Sequence, residues 1–136
     1  MLRPCARRTG IAAVELAVLL PLLAFLFVIA IDFARLFFFS LTVTNCARNG
    51  ALYGSDPAGA TLSPYKSVTE AALSDAGNLD PAPTVNSKTV IEVGATYIEV
   101  TVAYPFSTIT KYPGVPSSLM LTRTVRMRMT QAVPNF

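Results

Sequence analysis

Few residues in this chain have the types and spacing that chemistry requires, and the most conspicuous is a carboxylate set in a run of apolar residues. Glu15 lies in "GIAAVELAVLLPLL", five positions after Gly10, which itself follows Arg7-Arg8-Thr9. A charge inside a membrane-spanning helix costs up to about 2.5–3.5 kcal/mol at the centre and less near an end, so its presence points to a function. The plain alternative is a carboxylate that snorkels to the headgroups. Catalysis has little else to work with. The sequence has no histidine, which removes the commonest general base and metal ligand, and no Walker-type glycine loop. Cys46 has no histidine to activate it, and the acids beyond the apolar run are scattered rather than clustered as a metal site requires. No catalytic, cofactor-binding or metal-ligating residue is assigned, and no enzyme activity is expected.

The element that positions Glu15 follows from composition and charge. Of 136 residues 52% are apolar and only 14% charged, more apolar than an ordinary soluble domain. Arg3, Arg7 and Arg8 precede the apolar run without any acid, and once they are set aside the remaining basic and acidic residues cancel, so the net charge of +3 belongs to a leader. From Ile11 to Ile31 a helix would extend about 31 Å at about 1.5 Å per residue, close to the roughly 30 Å hydrocarbon core. One spanning helix is expected, in the inner (cytoplasmic) membrane. The arginines before it, against Asp32 and Arg35 after it, place the N-terminus in the cytoplasm and the rest of the chain outside. A cleaved secretory signal fits less well, because the uncharged run from Leu16 to Ile31 is longer than the about 7–15 residues of such a core and passes into "DFARLFFF" without a cleavage box. Cys5 precedes the apolar run and so is not a lipidation site. If the leader is removed, Cys46 alone remains, which leaves a free thiol or an intermolecular bridge, and it is read as a small packing residue. No nucleic-acid partner is expected, since Arg123, Arg126 and Arg128 would be divided between two faces of a strand.

Asp32 and Arg35 are three apart on this helix, a local ion pair worth about 0.2–0.5 kcal/mol. Pro21 removes one helical hydrogen bond and marks a bend. Asn45, Arg48 and Tyr53 are expected to fix the helix end to the outer domain, while Gly50 and Gly54 weaken the helix. A helix from Ile11 to about Tyr53 would extend roughly 65 Å, about twice the bilayer core. Its outer half carries Leu36, Phe37, Phe38 and Phe39 and needs cover, either from the outer domain or from another subunit. "GSDPAGATLSP" reads as a loop, and Tyr65–Ala76 as a short helix. Lys88–Val93 and Thr96–Tyr104 read as strands around a tight turn at Gly94-Ala95. In the second of these Ile98, Val100, Val102 and Tyr104 share one face, which implies a one-sided sheet. Leu119–Thr130 reads as the last strand, with Arg123 interrupting its apolar face and placed at an edge. The fold class is α+β: a long N-terminal transmembrane helix extending outward, a short helix and a small antiparallel β-sheet. The organisation is a basic cytoplasmic leader over 1–10, the transmembrane and extended helix over 11–53, and an extracytoplasmic domain over 54–136.

Gly10 and Glu15 at a basic-to-apolar border resemble a type IV prepilin site. The resemblance implies that prepilin peptidase cuts between Gly10 and Ile11, that Glu15 becomes the fifth residue of the mature chain, and that the new amine of Ile11 is methylated. Leu16 stands where major pilins of the tight-adherence type often carry tyrosine, which argues for a minor pseudopilin. The longer stretch from Ala12 to Ser55 is similar to the signature of TadE-like proteins, through Val14-Glu15, Leu20-Pro21, Asp32, Arg35, Asn45, Ala47, Arg48, Gly50, Ala51 and Tyr53. "VTVAYPF" and "RTVRMRM" also resemble that family's last strands, and the departures are Cys46 and Asn49. The resemblance implies a pseudopilin-like fold and a role in assembling a tight-adherence pilus or a related secretion apparatus. The implied partners are prepilin peptidase, a second minor pseudopilin, the major pilin, the inner-membrane assembly platform and the lipid bilayer. The alternative is a stand-alone single-pass membrane protein with a ligand-binding outer domain, which would not require the Gly10 and Glu15 pair.

Overall fold

The computed structural model describes residues 10–109 and 116–130. The arginines of the leader and most of the "KYPGVPSS" turn lie outside the described residues. Helix α1 runs from Ile11 to Ser55 as 45 residues, about 67 Å at helical rise, and stays helical through Pro21. Two short helices, α2 (Pro57–Ala60) and α3 (Val68–Leu73), lead to a three-stranded antiparallel sheet of β1 (Thr84–Glu92), β2 (Ala95–Ser107) and β3 (Ser118–Arg128), with β2 in the centre. The fold is α+β, as the periodicities imply.

Local chemistry explains the boundaries. The loop expected over Gly54 to Pro64 contains α2, a single turn that Pro57 opens at its first helical positions, where a missing N–H removes no bond. Helix α3 is shorter than the expected Tyr65–Ala76. Ser67 caps it by accepting from the Glu70 N–H at 3.1 Å, and the Glu70 carboxylate accepts in return from the Lys66 N–H at 2.8 Å. The hairpin turn falls on Val93-Gly94, one residue before the expected position, with Glu92 paired to Ala95. Gly94 takes φ +80°, a conformation that disfavours a side chain.

The sheet is one-sided. Ile98, Val100, Val102, Tyr104 and Phe106 are buried against the helices. The other face carries the Lys88–Glu99 ion pair at 2.7 Å and the Thr101–Thr124 hydroxyl pair at 2.9 Å. Arg123 does lie on an edge strand, and its guanidinium donates to the Ser40 Oγ of α1 at 2.9 Å.

Helix α1 meets this layer along a stripe of small residues. Val43, Cys46, Ala47 and Ala51 are fully buried, opposite Val100, Val102 and the alanines of α3. Gly50 and Gly54, read from sequence as weak points of the helix, are contact points here. A Cβ at Gly50 would lie 3.0 Å from the Ala72 Cβ and 3.3 Å from the Val68 carbonyl oxygen, and one at Gly54 would lie 2.9 Å from Ile98 Cγ1. The helical propensity lost at each, about 1 kcal/mol relative to alanine, is exchanged for close approach of three elements. Gly50→Leu is therefore expected to destabilise the domain by about 1–3 kcal/mol or more through overpacking. Gly77→Ala, where a Cβ meets nothing within 4 Å, should leave it unchanged. Thermal unfolding of the detergent-solubilised protein measures both.

Candidate functional site

Two regions of α1 carry the residues singled out in the sequence: its first two turns, and the joint where it leaves its freely exposed segment and meets the sheet. At the start, Gly10 is the residue before the helix, with φ −95° and ψ −22°. Its carbonyl accepts from the Val14 N–H at 3.2 Å. A Cβ there would meet nothing within 4 Å. Neither the backbone angles nor the packing calls for glycine at this position. Ile11 opens the helix, and Glu15 stands one turn further on among exposed apolar residues. The Glu15 carboxylate makes no hydrogen bond or ion pair among the described residues. The segment around it contains a window long and apolar enough to cross a membrane, none of it buried by the rest of the chain. Pro21 lies inside this segment and is exposed.

The joint is built on Asp32, whose side chain is among the few buried polar ones. Its Oδ1 accepts from Arg35 Nη1 at 3.2 Å and from the backbone N–H of Ile109 at 3.0 Å. The Arg35 guanidinium also reaches the Ser107 carbonyl at 3.5 Å. Its Cζ lies 5.4 Å from the Phe106 ring centre and 5.6 Å from that of Phe39, within the range of cation–π attraction. Phe39 in turn meets Tyr104 and Phe106 edge-on, at 5.6 and 5.8 Å between centres. The pair expected to be a local i, i+3 contact thus fastens the end of β2 to the helix. The sequence contains no sign of the Ile109 and Ser107 contacts, which join positions more than seventy residues apart.

Further along α1 the expected anchors divide. Tyr53 donates from its hydroxyl to the Tyr65 carbonyl at 3.1 Å and ties the helix end to the approach to α3. Asn45 and Arg48 are exposed, and their side chains make no hydrogen bond or ion pair among the described residues. The expectation that they fix the helix to the domain is corrected, because both fall on the side of α1 turned away from the sheet. An anchor that sequence reasoning missed is Thr42, a buried residue whose hydroxyl accepts from Asn78 Nδ2 at 3.3 Å. Cys46 is fully buried, and burial, reinforced by the Asp75 carboxylate, pushes its thiol pKa up. Its role is packing, since the protonated form is a poor nucleophile. No group of three or more Cys, Asp or Glu side chains that could hold a metal gathers among the described residues.

Residues 10–52 match the family described as TadE-like protein. The match begins at Gly10, takes in Glu15, Pro21, Asp32, Arg35, Asn45, Arg48 and Gly50, and stops before Tyr53 and the sheet. Similarity to this family suggests a role in Tad pilus assembly. Neither the curated proteins nor the solved structures gave a match.

Replacing Asp32 by alanine removes a charged acceptor and leaves both the Ile109 N–H and Arg35 without it. A loss of about 1.5–3 kcal/mol is expected for such hydrogen bonds, seen as faster proteolysis at the end of β2 in detergent-solubilised protein. In a Cys5→Ser background, Cys46 should resist iodoacetamide at pH 8 while the chain is folded and react once it is denatured. Rapid labelling of the folded chain would contradict its assignment as a packing residue.

Proposed function

We propose that this chain is a minor pseudopilin: a single-pass subunit of the inner membrane that is cut between Gly10 and Ile11 by prepilin peptidase and then takes part in assembling a tight-adherence pilus or a related secretion apparatus. The observation that carries this reading is the start of α1, where a glycine that the described fold does not need precedes a helix containing a window long enough to span a bilayer, with a carboxylate on its fifth residue that has no partner among the described residues, inside the stretch that matches the TadE-like family. A peptidase that must approach the backbone closely supplies the reason for glycine that the fold lacks. An anchor alone calls for neither residue.

Cleavage would create a cationic amine on Ile11. Glu15 is only about 6 Å further along the helix axis, and pairing with that amine, on the same chain or on an adjacent subunit, offsets part of the cost of a carboxylate in lipid. The intersubunit form also sets the stagger between neighbouring helices. The residues of α1 between Ile11 and Ile31 that the sheet domain leaves exposed would face lipid before assembly and the helices of partner subunits afterwards. Those partners are a second minor pseudopilin and the major pilin, gathered at the inner-membrane platform. The domain after Arg35 would stand outside the cytoplasm.

The mature protein extracted from membranes of cells with an active prepilin peptidase is expected to begin at Ile11 by mass spectrometry, and Gly10→Leu should retain the leader. An intact Met1 terminus in the unaltered protein would count against processing. Glu15→Ala should leave insertion and cleavage intact and reduce assembled pili by tenfold or more, and Glu15→Gln separates charge from hydrogen bonding. Wild-type piliation in both variants would show that Glu15 only snorkels. In spheroplasts, external protease should reach the domain after Arg35, and protection there would reverse the topology.

A further inference from the structure

The half of α1 that carries the sheet domain has an open stripe on its other side. From Phe38 to Leu52 the exposed residues of the helix are Phe38, Leu41, Asn45, Arg48 and Leu52, at steps of three, four, three and four. A helix covered on one side leaves a stripe of this spacing open, so the spacing alone asks for nothing. The residue types do. Phe38 is 55% exposed, Leu41 49% and Leu52 50%, on the side that a helix facing water reserves for polar residues. Val43 and Gly50, packed against the sheet and α3, lie on the opposite side at about 100° per residue, so the domain leaves the approach to the stripe clear.

Lipid does not reach this stripe. Leu41 and Leu52 stand about 15 and 32 Å past Ile31 along the axis, whereas the headgroup layer adds only about 5–7 Å to each side of the hydrocarbon core. A second copy of this chain, held at the same depth in the same orientation, is parallel and level, which sets Arg48 opposite Arg48. Positions 37, 42, 44, 49 and 51, which flank the stripe, carry no acid to relieve that contact, and like charges facing each other across an interface reject the pairing. Arg48 makes no ion pair within the chain among the described residues. Charge complementarity therefore selects a helix from another chain with an acid at that level.

Resting on the single-pass reading above, we propose that the stripe is the seam of a parallel two-helix contact with a different single-pass membrane protein, whose helix sets apolar residues against Phe38, Leu41 and Leu52 and a carboxylate against Arg48, about 26 Å past Ile31. The apolar residues supply the attraction, and Asn45, a polar group in the seam, fixes the register. Arg48 selects the acidic partner and rejects a second copy.

The chain with Arg48→Glu is the probe, since it presents the same apolar row with an acid at the required level. The Arg48 form and the Arg48→Glu form each carry Cys5→Ser, Cys46→Ala and Ala34→Cys, the last at an exposed position in line with the stripe, and tags of different size. Reconstituted together in vesicles of phosphatidylethanolamine and phosphatidylglycerol and oxidised with copper phenanthroline, the two forms should join each other about tenfold more than either joins itself. Leu41→Asp with Leu52→Asp in both forms should remove the excess, and an excess that survives them overturns the apolar seam. Joining within the Arg48 form equal to that of the mixture assigns the stripe to a second copy and overturns the acidic partner. Joining in the mixture no greater than from Thr89→Cys, on the exposed edge strand β1, overturns the seam altogether. These three results leave the single-pass reading standing when alkaline carbonate fails to strip the protein from the vesicles, and release by carbonate overturns both.

Discussion

The carboxylate of Asp32 sits where α1 stops being exposed on all sides and starts to be one wall of a protein core, and the rest of the arrangement hangs on it. Accepting from Arg35 and from the Ile109 N–H, it satisfies a backbone donor at the end of β2 and neutralises a cation that packs between Phe39 and Phe106. A buried carboxylate without such partners would be strongly unfavourable. With them it fixes the height of the sheet along the helix, and the paired start of β3 follows from strand register.

Above that joint, small residues set the distance between layers. Cys46, Ala47, Gly50, Ala51 and Gly54 let α1 approach β2 and α3 closely, and the bulk that the helix lacks there is supplied by Val100, Val102 and Ile98 from the sheet. Polar bonds close the periphery: Tyr53 to the Tyr65 carbonyl, Asn78 to Thr42, the Tyr104 hydroxyl to the Asp80 carbonyl and Arg123 to Ser40. Each one reaches between α1 or the central strand and a loop or edge, so the domain is tied to the helix over most of its outer half.

The same helix therefore meets two surroundings. Its first half has the length and composition of a membrane span and no cover from its own chain. Its second half is covered on one side only, leaving Phe33, Phe37, Phe38 and Leu41 open. The question of whether the domain or another subunit covers the outer half is thus answered for one face, the one that carries Val43, Cys46 and Ala47. The open face is continuous with the exposed first half.

What the sequence determined by itself was whatever depends on neighbours along the chain. The span and its basic flank, the border at Gly10 and Glu15, the one-sided alternation of β2 and the family resemblance all rest on local composition and on periods of two or of 3.6 residues. Only the tertiary structure decided the roles that depend on distant positions. It turned Asp32 and Arg35 from a local ion pair into the fastening of the sheet. It made Gly50 and Gly54 contact points, and it separated Tyr53, which anchors, from Asn45 and Arg48, which stand exposed without a side-chain partner among the described residues. The physical reason is that residues three or four apart on a helix announce a shared face, whereas the partner that comes to cover that face is chosen by packing between segments whose spacing in the chain carries no such period.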